Sequence, residues 1–520
     1  MSKPVLLISS QRDLDVIGLK CLHYHLLAHS YQSTLLFLPG YDCGSTSSRA
    51  SAQIVDFAAD LSPLFIGVSL MSVEYRRAAC VTRLLKKRLP SVPVVWGGIH
   101  PTVAPQTCLD YADYVCIGEG EDAVLKLANA LSAGEDQRHV NNLCFREEGQ
   151  LVHNPLNPLI EDLDDLAPYE HIPTRSFVLD RDTIARLEVK TFRKLARYSG
   201  TTYSVISSRG CPFSCTYCCN NALSSIYGSR QVRFRKAQTV VDEIGRAVAD
   251  HPFIEYVNFQ DDCFLARDNE QIEMFCDLYE KEIGKPFVVR SIPMFVTREK
   301  VARLRAAGLA WISLGLQSGS DRTCLHVYRR PSTKEDFLRA ARLINEFEVA
   351  AFYDVILDNP FETDEERLET VCTLTETPKP HYTQFFSLTL YPGTELHERA
   401  LSEGAITGGE YLMKDYFKYK NTPVNNLTRL AAFLSPWWVR RLVRLYRSNP
   451  HSLTFKMNML MARLFAIVFS EPVTYLKVVR LSQNGSLRRT LRVLPHLLHE
   501  GLTRFWHQFA SSPGRHDATR

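Results

Sequence analysis

Short apolar runs alternate with longer amphipathic segments over the first 150 residues. The short runs end in small residues, as buried parallel strands do, whereas the longer segments have apolar positions at helical spacing. Strands are predicted at residues 4–10, 33–40, 64–70, 92–98 and 113–118. Helices are predicted near residues 14–28, 50–60, 74–89, 102–110 and 121–132. The alternation predicts a doubly wound, Rossmann-like α/β domain over residues 1–150, with ligands beyond the carboxyl ends of its strands.

The same alternation returns after an interruption. Residues 151–200 are rich in proline and acidic side chains and are predicted to be a linker. Strands are then predicted at residues 202–208, 256–262, 287–293, 311–318, 351–357 and 383–393. Helices are predicted between them, near residues 237–250, 268–283, 298–307, 333–347 and 363–376. Six strand–helix units over residues 201–400 predict a partial (β/α)6, TIM-like barrel with its site at the strand carboxyl ends.

Residues 401–520 have only helical patterns, and their charge differs from that of the rest of the chain. Residues 421–520 have 15 Lys+Arg and 3 Asp+Glu, a balance of +12, although the whole chain has a net charge of only +4. The segment WWVRRLVRLYR, residues 437–447, combines tryptophan and arginine as interfacial helices do. Three interpretations stay open for this basic region: helices packed on the barrel, peripheral membrane contact, or docking of a polyanionic partner.

The composition favours a multidomain globular protein of the cytoplasm. Of the 520 residues, 45% are apolar and 23% are charged. The first residues lack a secretory pattern, and most of the 14 cysteines are scattered through apolar segments. The segment MNMLMARLFAIVF, residues 457–469, is interrupted by Arg463 and is expected to be too short to span a membrane. No nucleic-acid-binding motif is recognised.

Four cysteines lie close together in the stretch SSRGCPFSCTYCCN, residues 207–220. Cys211, Cys215 and Cys218 have the spacing C-x3-C-x2-C, and Cys219 follows directly. A zinc site would need a fourth, distant ligand, a redox dithiol would leave Cys211 without a role, and Cys219 is interpreted as a core residue. Three thiolates suit a [4Fe–4S] cluster whose fourth iron is open to a substrate or cofactor.

This motif after the first strand of a parallel barrel, with an aromatic residue before the third cysteine, resembles the radical S-adenosylmethionine (SAM) enzymes. The segments DNPFETDEE (358–366) and YPGTEL (391–396) match further parts of that family's barrel. The resemblance implies that Cys211, Cys215 and Cys218 ligate a [4Fe–4S] cluster. In this family the open iron binds SAM, and an electron from the cluster cleaves SAM to give a 5′-deoxyadenosyl radical.

The resemblance also implies which side chains contact SAM. The implied contacts are Tyr217, Gln260, Asp261, Arg290 and Gln317, with Asp262 as a further candidate. Gln260, Asp261 and Asp262 end the second barrel strand, and the alternative is that they only cap the next helix. Arg290 has an ion pair within the barrel as its alternative role. Gln317 stands where relatives often have glutamate, so it can hydrogen-bond a ribose hydroxyl without contributing charge.

The N-terminal segments VVWGGIHPTVAPQ (94–106) and DYVCIGEGEDAVLKL (113–127) resemble the cobalamin-binding domain fused to one branch of these enzymes. The implied cobalamin contacts are Ser69, Ser72, Gly97, Gly98, Gly118 and Gly120. Glycines let backbone approach a macrocycle closely, and serines supply hydrogen bonds. The D-x-H-x-x-G motif that supplies an axial histidine is missing, so we expect no histidine ligand on the lower face. The alternative is a domain that keeps this fold without its cofactor.

Together these resemblances imply a cobalamin-dependent radical SAM enzyme, with a methyltransferase acting on an unactivated carbon as the preferred activity. The alternatives are a cobalamin-containing radical cyclase or oxidoreductase, and a non-catalytic cobalamin or metal sensor. The expected partners are a small-molecule or natural-product substrate and an external electron donor of the flavodoxin or ferredoxin type. Peripheral contact with the membrane through the basic C-terminal region is a further expectation.

Overall fold

The structure is a computed structural model that describes residues 3–42, 44, 46–409 and 416–483. The chain forms two compact units. The first comprises Met1–Arg290, Leu325–Pro331 and Thr389–Lys414, and the second comprises Ser291–Cys324, Ser332–Leu388 and Asp415–Arg520. The first unit therefore contains both the N-terminal sheet and the cysteine loop.

The N-terminal sheet has nine strands in the order β7-β6-β5-β4-β3-β1-β2-β8-β9. The strands are β1 (Val5–Ser9), β2 (Ser33–Phe37), β3 (Ile66–Ser69), β4 (Val94–Gly97), β5 (Tyr114–Cys116), β6 (Leu143–Glu147), β7 (Gln150–His153), β8 (Ser176–Asp180) and β9 (Thr183–Arg186). Strands β1 to β5 and β8 are parallel, whereas β6, β7 and β9 pair antiparallel with their neighbours. The parallel centre confirms the doubly wound α/β fold predicted for this part of the chain.

Helices cover both faces of this sheet because successive strand side chains point to opposite sides. The helices are α1 (Ile17–Ala28), α2 (Ser48–Leu61), α3 (Tyr75–Arg88), α4 (Ile99–Val103), α5 (Pro105–Cys108) and α6 (Glu121–Ala133). Leu6 and Ile8 of β1 lie in one buried cluster with residues of α2 and α3. Val5 and Leu7 lie in a second cluster with residues of α1 and α6. Both faces of β1 are therefore core, which explains its uninterrupted apolar sequence.

Residues 151–200, expected to be a linker, contribute strands to the N-terminal sheet in addition to irregular segments. Strands β8 and β9 form a hairpin, and β8 extends the sheet by pairing in parallel with β2. Helix α7 (Val189–Leu195) follows the hairpin. The difference arises because proline and acidic residues dominate the first half of this segment, whereas the hairpin lies in the second half.

The barrel region contains the remaining strands and seven further helices. The strands are β10 (Thr202–Val205), β11 (Ser208–Arg209), β12 (Arg233–Phe234), β13 (Tyr256–Phe259), β14 (Phe287–Ser291), β15 (Leu309–Gln317), β16 (Ala350–Leu357) and β17 (Tyr382–Ser387). The helices are α8 (Cys219–Tyr227), α9 (Ala237–Asp250), α10 (Asn269–Glu282), α11 (Arg298–Ala306), α12 (Lys334–Glu346), α13 (Asp364–Glu376) and α14 (Glu395–Ser402). In the first unit β13 pairs in parallel with β10 and β14, and in the second unit β16 pairs in parallel with β15 and β17. This alternation of parallel strands and helices confirms the predicted partial (β/α)6 barrel.

Side-chain caps explain where several barrel helices begin. The carboxylate of Asp268 accepts a hydrogen bond from the N–H of Gln271 at the start of α10. The hydroxyls of Thr333 and Thr363 do the same at the starts of α12 and α13. Each cap satisfies a backbone donor that lacks a partner inside its helix.

The C-terminal region of the second unit is mainly helical over residues 416–483, as expected, and residues 484–520 of the predicted helical region lie outside the described residues. Its helices are α15 (Pro423–Phe433), α16 (Pro436–Ser448), α17 (Leu453–Phe465) and α18 (Glu471–Ser482). A π-helical turn over Ala466–Ser470 joins α17 to α18, so that Leu453–Ser482 forms one helix of 30 residues. By length and composition alone this helix could cross a membrane, which corrects the expectation that the segment is too short.

Two buried histidines should make the stability of the first unit depend on pH. Burial lowers the pKa of His23 and of His100 to about 4. The unfolded chain, in which the histidine pKa is about 6.5, binds protons below that pH, while the folded chain stays unprotonated until about pH 4. Between these values each histidine should lower the free energy of unfolding by about 1.4 kcal/mol per pH unit of acidification.

Urea unfolding at pH 7, 6 and 5 tests this prediction. The His23 ring nitrogens lie 2.9 Å from the hydroxyl of Ser33 and 3.0 Å from the carbonyl oxygen of Thr174. A His23→Gln variant should show a smaller loss of stability between pH 7 and 5 than the wild type. His139→Gln, a change on the surface, is the control. Parallel pH profiles for wild type and His23→Gln would contradict the prediction.

Candidate functional site

The cysteine loop is fixed at its centre by backbone from distant parts of the chain. The N–H of Thr216 donates to the carbonyl oxygen of Tyr328 at 2.9 Å, and its hydroxyl donates to that of Val327 at 2.7 Å. The carbonyl oxygen of Thr216 accepts from the N–H of Leu396 at 2.9 Å. The ring of Tyr217 packs edge-on against Tyr328, with 4.9 Å between centroids. The loop is therefore held in one shape before any ligand binds.

The four thiols of the loop differ in how readily they ionise. Burial raises the pKa of Cys211 to about 12 and also raises the pKa of Cys215, where the guanidinium of Arg330 opposes it. A hydrogen bond from the Cys219 thiol lowers the pKa of Cys218, and the same interaction raises the pKa of Cys219. Because a thiolate is the form that binds metal, Cys219 supports its neighbour as a ligand.

The donor set of the cysteine loop fits a multi-iron cluster. Among the described residues, no three His, Cys, Asp or Glu side chains come close enough together to hold one metal ion. A zinc ion would draw its ligand sulfurs to about 2.3 Å from one point. In a [4Fe–4S] cluster each cysteine binds a different iron, so the three sulfurs need not converge. The donor set of three thiols on one anchored loop fits the cluster.

Asp261, a predicted SAM contact, lies in a buried network that supports the loop. Its carboxylate accepts from the N–H and the hydroxyl of Ser207 and from the hydroxyl of Ser208, all at 2.7 Å. It also pairs with Arg267 at 3.1 Å, and both side chains are almost fully buried. Four donors within the protein thus engage this carboxylate, which places Asp261 as a residue that positions the start of the cysteine loop.

Gln260 and Arg290, two other predicted SAM contacts, are brought together. The guanidinium of Arg290, on β14, donates to the side-chain oxygen of Gln260 at 2.7 Å, and the Gln260 amide donates to the Ser204 hydroxyl at 3.4 Å. All three residues lie on or directly after parallel strands of the first unit. Gln260 and Arg290 therefore form one polar surface at the carboxyl ends of β13 and β14.

Two acceptors near this surface have capacity left for a ligand. The charge of the Asp262 carboxylate adds to the increase in the pKa of Cys211 and opposes the decrease in the pKa of Cys218, and burial among protein atoms raises the pKa of Asp262 itself. The Asp262 residue nevertheless keeps accessible surface. The side-chain oxygen of Asn258, on β13, is buried without a hydrogen-bond partner among the described residues. Such an atom normally has a partner, which a bound cofactor would supply.

Gln317 belongs to the second unit, where it ends β15 in a left-handed conformation with φ +63°. The next residue, Ser318, donates from its hydroxyl to the buried carboxylate of Glu362 at 2.6 Å. A Cβ on Gly319 would lie 2.6 Å from the Cα of Thr370, so only glycine fits there. Sequence reasoning did not single out Glu362, which fixes the turn that presents Gln317.

The predicted cobalamin contacts Ser69 and Gly97 lie side by side at the carboxyl edge of the N-terminal sheet, as paired residues of β3 and β4. Gly97 leaves open space, since a Cβ there would meet nothing nearer than the Cβ of Cys116 at 3.8 Å. Ser10, directly after β1, has a buried hydroxyl without a partner among the described residues. Open backbone and an unpaired hydroxyl at a strand-end edge fit a large polar cofactor.

Other predicted cobalamin contacts are engaged by the protein itself. The hydroxyl of Ser72 lies 2.9 Å from Nδ1 of the buried His100. Gly98 has φ +104°, and a Cβ there would lie 2.7 Å from the carbonyl oxygen of Leu70. A Cβ on Gly120 would lie 3.3 Å from the side chain of Leu22. These three residues shape the strand ends rather than presenting free groups at them.

Gly118 accommodates a residue from the helix that follows the cysteine loop. A Cβ at this position would lie 1.9 Å from the hydroxyl oxygen of Tyr227, on α8. That hydroxyl accepts a hydrogen bond from the N–H of Glu119 at 2.9 Å. The glycine therefore lets the loop after β5 contact α8 closely.

Replacing Gly118 with alanine should destabilise this contact by about 1–3 kcal/mol, because the new Cβ overlaps the tyrosine and φ is +78°. Urea unfolding of Gly118→Ala, Tyr227→Ala and the double variant measures the coupling. We expect the double variant to lose less stability than the sum of the single changes. Additive losses would show that the two residues do not clash.

Buried ion pairs join the β11–β12 hairpin, which encloses the cysteine loop, to the N-terminal sheet. The sequence analysis did not predict these pairs. Arg233, on β12, pairs with Glu119 at 2.7 Å, and Arg209, on β11, pairs with Glu121 at 2.6 Å. Burial opposes ionisation of Glu119, but the hydrogen bond from Arg233 and the charge of Arg209 hold its pKa below the usual value. The partners are 88 to 114 residues apart in sequence, so no local pattern signals them.

Comparison with known families identifies this combination of sheet, loop and barrel. Residues 3–128 match the family model of the B12 binding domain, and residues 205–373 match that of the radical SAM superfamily. The chain belongs to the cobalamin-binding radical SAM enzymes. The first match covers strands β1 to β5, and the second begins at the end of β10, just before the cysteine loop.

Two curated proteins are similar to the chain over most of its length. The uncharacterised methyltransferase PH0819 of Pyrococcus horikoshii is 25% identical over 412 residues, which are 78% of this chain and 82% of that protein. The anaerobic magnesium-protoporphyrin IX monomethyl ester cyclase of Rubrivivax gelatinosus is 26% identical over 62% of this chain, which spans only 56% of the cyclase.

A solved structure confirms the fold of this chain. The radical SAM methyltransferase TsrM of Kitasatospora setae superposes with a TM-score of 0.62 at 19% identity, covering 78% of this chain and 77% of that one. TsrM has been solved with tryptophan and a SAM analogue, and also with cobalamin and a [4Fe–4S] cluster. The predicted fold class and family are both confirmed.

Proposed function

We propose that the protein is a cobalamin-dependent radical SAM methyltransferase that adds a methyl group to an unactivated carbon of a small molecule. The observation that carries this proposal is the union of the cysteine loop and the N-terminal sheet in one compact unit. The Tyr227–Glu119 hydrogen bond and the Arg233–Glu119 ion pair join them directly. A methyl donor held by the sheet and a radical generated at the loop would thus serve one substrate.

Cys211, Cys215 and Cys218 would hold a [4Fe–4S] cluster, which supplies the electron that cleaves SAM when both are bound. The chain's own groups would then orient SAM. The oxygens of Asp262 and Asn258 can accept hydrogen bonds from its amino group, and the guanidinium of Arg290 can donate to its carboxylate. Asp261 would act through Ser207 and Ser208 by fixing the loop rather than by touching SAM.

Cobalamin would lie on the carboxyl edge of the N-terminal sheet and supply the methyl group. Ser69, Gly97 and the unpaired hydroxyl of Ser10 are the residues that can contact it there. Gly97 lets backbone approach the macrocycle, while the two serines can donate hydrogen bonds to its amide side chains. No axial histidine is part of this proposal, since the sequence lacks the motif that would supply one.

The lengths of the alignments with the two curated relatives favour methyl transfer over cyclisation. The alignment with PH0819 covers more of both chains than the alignment with the cyclase does. TsrM is also a methyltransferase, although its low identity supports the fold alone. A cobalamin-containing cyclase or oxidoreductase is the second candidate because the cyclase aligns with this chain at a similar identity, 26%.

The proposal includes two partners besides SAM. One is a small-molecule substrate, which we place at the carboxyl ends of the barrel strands. The other is a one-electron donor of the flavodoxin or ferredoxin type, because the cluster must be reduced before each SAM cleavage. The cytoplasm supplies such donors and keeps the thiols of the loop reduced.

Products formed from SAM alone can test this function before the substrate is known. The chain would be purified without oxygen, reconstituted with iron, sulfide and hydroxocobalamin, and incubated with reductant and SAM labelled in its methyl group. A methyltransferase should form 5′-deoxyadenosine, and it should also form S-adenosylhomocysteine as labelled methyl reaches cobalamin. Formation of 5′-deoxyadenosine without labelled cobalamin would favour the cyclase. Formation of neither product would overturn the proposal and favour a sensor.

A further inference from the structure

The helix Leu453–Ser482 exposes an unusually large apolar surface. Of 21 large hydrophobic side chains exposed among the described residues, ten lie on this helix within 24 positions. We call these ten residues the apolar face: Leu453, Met457, Leu460, Met461, Leu464, Phe465, Val468, Phe469, Val473 and Leu476. Their exposed fractions range from 41% to 73%. Contiguous apolar surfaces of this kind mark interaction sites.

The opposite side of the helix is bound to the second unit. Phe455, Met459 and Ala462 are buried, with exposed fractions of only 2%, 7% and 2%. Further along, Glu471 pairs with Arg429 of α15 at 3.0 Å, and the ring of Tyr475 packs against Tyr382 of β17. A helix that crossed a bilayer would lose all of these contacts. The helix is therefore built to lie along a surface, with one face on the protein and the other outward.

Basic side chains are exposed on the same helices as the apolar face. Between residues 421 and 483 the chain has nine Lys and Arg residues and a single acidic residue, Glu471. Lys456, Lys477 and Arg480 are exposed on the helix itself. Arg441, on α16, donates to Asn458 at 3.1 Å and lies over the exposed ring of Trp437. Tryptophan and basic side chains beside an apolar face are the composition of interfacial helices.

We propose that the apolar face docks the enzyme on the surface of an anionic lipid bilayer. Its leucine, methionine, phenylalanine and valine side chains would enter the boundary between headgroups and acyl chains. Lys456, Lys477 and Arg441 would meet lipid phosphates at the edges of the helix. This inference depends only on the C-terminal helices and holds whichever reaction the radical site performs.

The shape of the face favours a bilayer over a second helix. Residues spaced by four form two adjacent rows, one through Leu453, Met457 and Met461 and the other through Leu460, Leu464 and Val468. A coiled-coil seam is narrower and uses only two positions in seven. The exposed apolar face also has no acidic group that would pair with a basic patch on another copy of this chain.

Vesicle flotation of the full-length chain tests the proposal. Vesicles of phosphatidylcholine alone would be compared with vesicles that contain one part phosphatidylglycerol to three parts phosphatidylcholine. The test variant Met461→Glu/Leu464→Glu changes residues that are 59% and 55% exposed. The matched control Met274→Glu/Leu401→Glu changes the same residue types at exposed positions of α10 and α14, where they are 54% and 37% exposed. Both variants alter the net charge equally.

We expect the wild type and the control to float with anionic vesicles, and the test variant to bind at least about tenfold more weakly. Lys456→Gln/Lys477→Gln should weaken binding to anionic vesicles but not the slight binding to neutral ones. Failure of the wild type to float, or equal loss in test and control variants, would overturn the proposal. A wild-type dimer that the test variant converts to a monomer, without vesicle binding, would instead show that the face joins two copies.

Discussion

Replacing Cys215 with alanine is expected to abolish formation of 5′-deoxyadenosine and to remove most of the bound iron. Cys215 is the central cysteine of the motif, and its neighbour Thr216 fixes the loop through backbone contacts with Val327 and Leu396. Loss of a supporting group around a metal site usually costs about 10- to 100-fold in metal affinity or activity, and loss of a direct ligand should cost more. Anaerobic iron and sulfide analysis with the SAM cleavage assay measures both effects. Cys211→Ala and Cys218→Ala should behave alike.

Cys219 provides the matched control, because it is a cysteine of the same loop outside the C-x3-C-x2-C motif. Its thiol donates to Cys218 and is not assigned as a ligand. Cys219→Ala should therefore retain the cluster and keep measurable SAM cleavage. If Cys219→Ala lost iron as completely as Cys215→Ala, or if Cys215→Ala retained full cleavage, the ligand assignment would be wrong.

Replacing Asp261 with alanine should destabilise the first unit by about 3–5 kcal/mol, because it leaves the buried guanidinium of Arg267 without its counter-charge. The side chains of Asp261 and Arg267 are 0% and 7% exposed. The change also removes the acceptor of three hydrogen bonds from Ser207 and Ser208. Urea unfolding followed by tryptophan fluorescence and circular dichroism measures the loss.

The exposed ion pair between Arg298 and Glu346 is the control for this change. Its bidentate hydrogen bonds are as short as those of Asp261, but both partners face solvent. Glu346→Ala should therefore change stability little or not at all. An Asp261→Ala variant as stable as Glu346→Ala would show that the buried network does not support the cysteine loop. Asp261→Asn, which keeps the acceptor oxygen, should recover part of the loss.

Local sequence patterns were sufficient for the regular parts of the fold. The helix predicted at residues 237–250 is α9, Ala237–Asp250, because its apolar positions recur at the helical period throughout. The same holds for β1, which is buried on both faces and therefore uninterrupted in its apolar sequence. In such elements the conformation that the local sequence favours is also the one that the packing of the core requires.

Two elements were missed because their signals are not local or are unusual. The β8–β9 hairpin turns at Arg181, which has φ +56°, whereas hairpin turns with positive φ normally show glycine or asparagine. The long C-terminal helix continues past Pro472, a residue that usually marks a boundary. Pro472 is tolerated because it directly follows the π-helical turn Ala466–Ser470, where the regular α-helical hydrogen-bond pattern is already interrupted.

The functional site, like the fold, has parts that the local sequence predicts and parts that it does not. The three cysteines predicted as ligands lie close together along the chain, so their spacing alone predicted a cluster. The supporting pairs Asp261–Arg267 and Glu119–Arg233 depend on the tertiary fold, and the sequence offered no reason to join Glu119 to a residue 114 positions later. The resemblance to radical SAM enzymes implied Asp261 as a cofactor contact, but only the fold shows that four donors already surround it.

The anchoring of Thr216 has a consequence for how the enzyme is made. The carbonyls of Val327 and Tyr328 and the N–H of Leu396 are needed to shape the loop, yet they are synthesised more than 100 residues after it. A nascent chain that ends soon after Cys218 lacks the backbone groups that fix this loop. Insertion of the proposed cluster should consequently wait until the chain has been synthesised beyond Leu396, and translation products that end before Leu396 should not bind it.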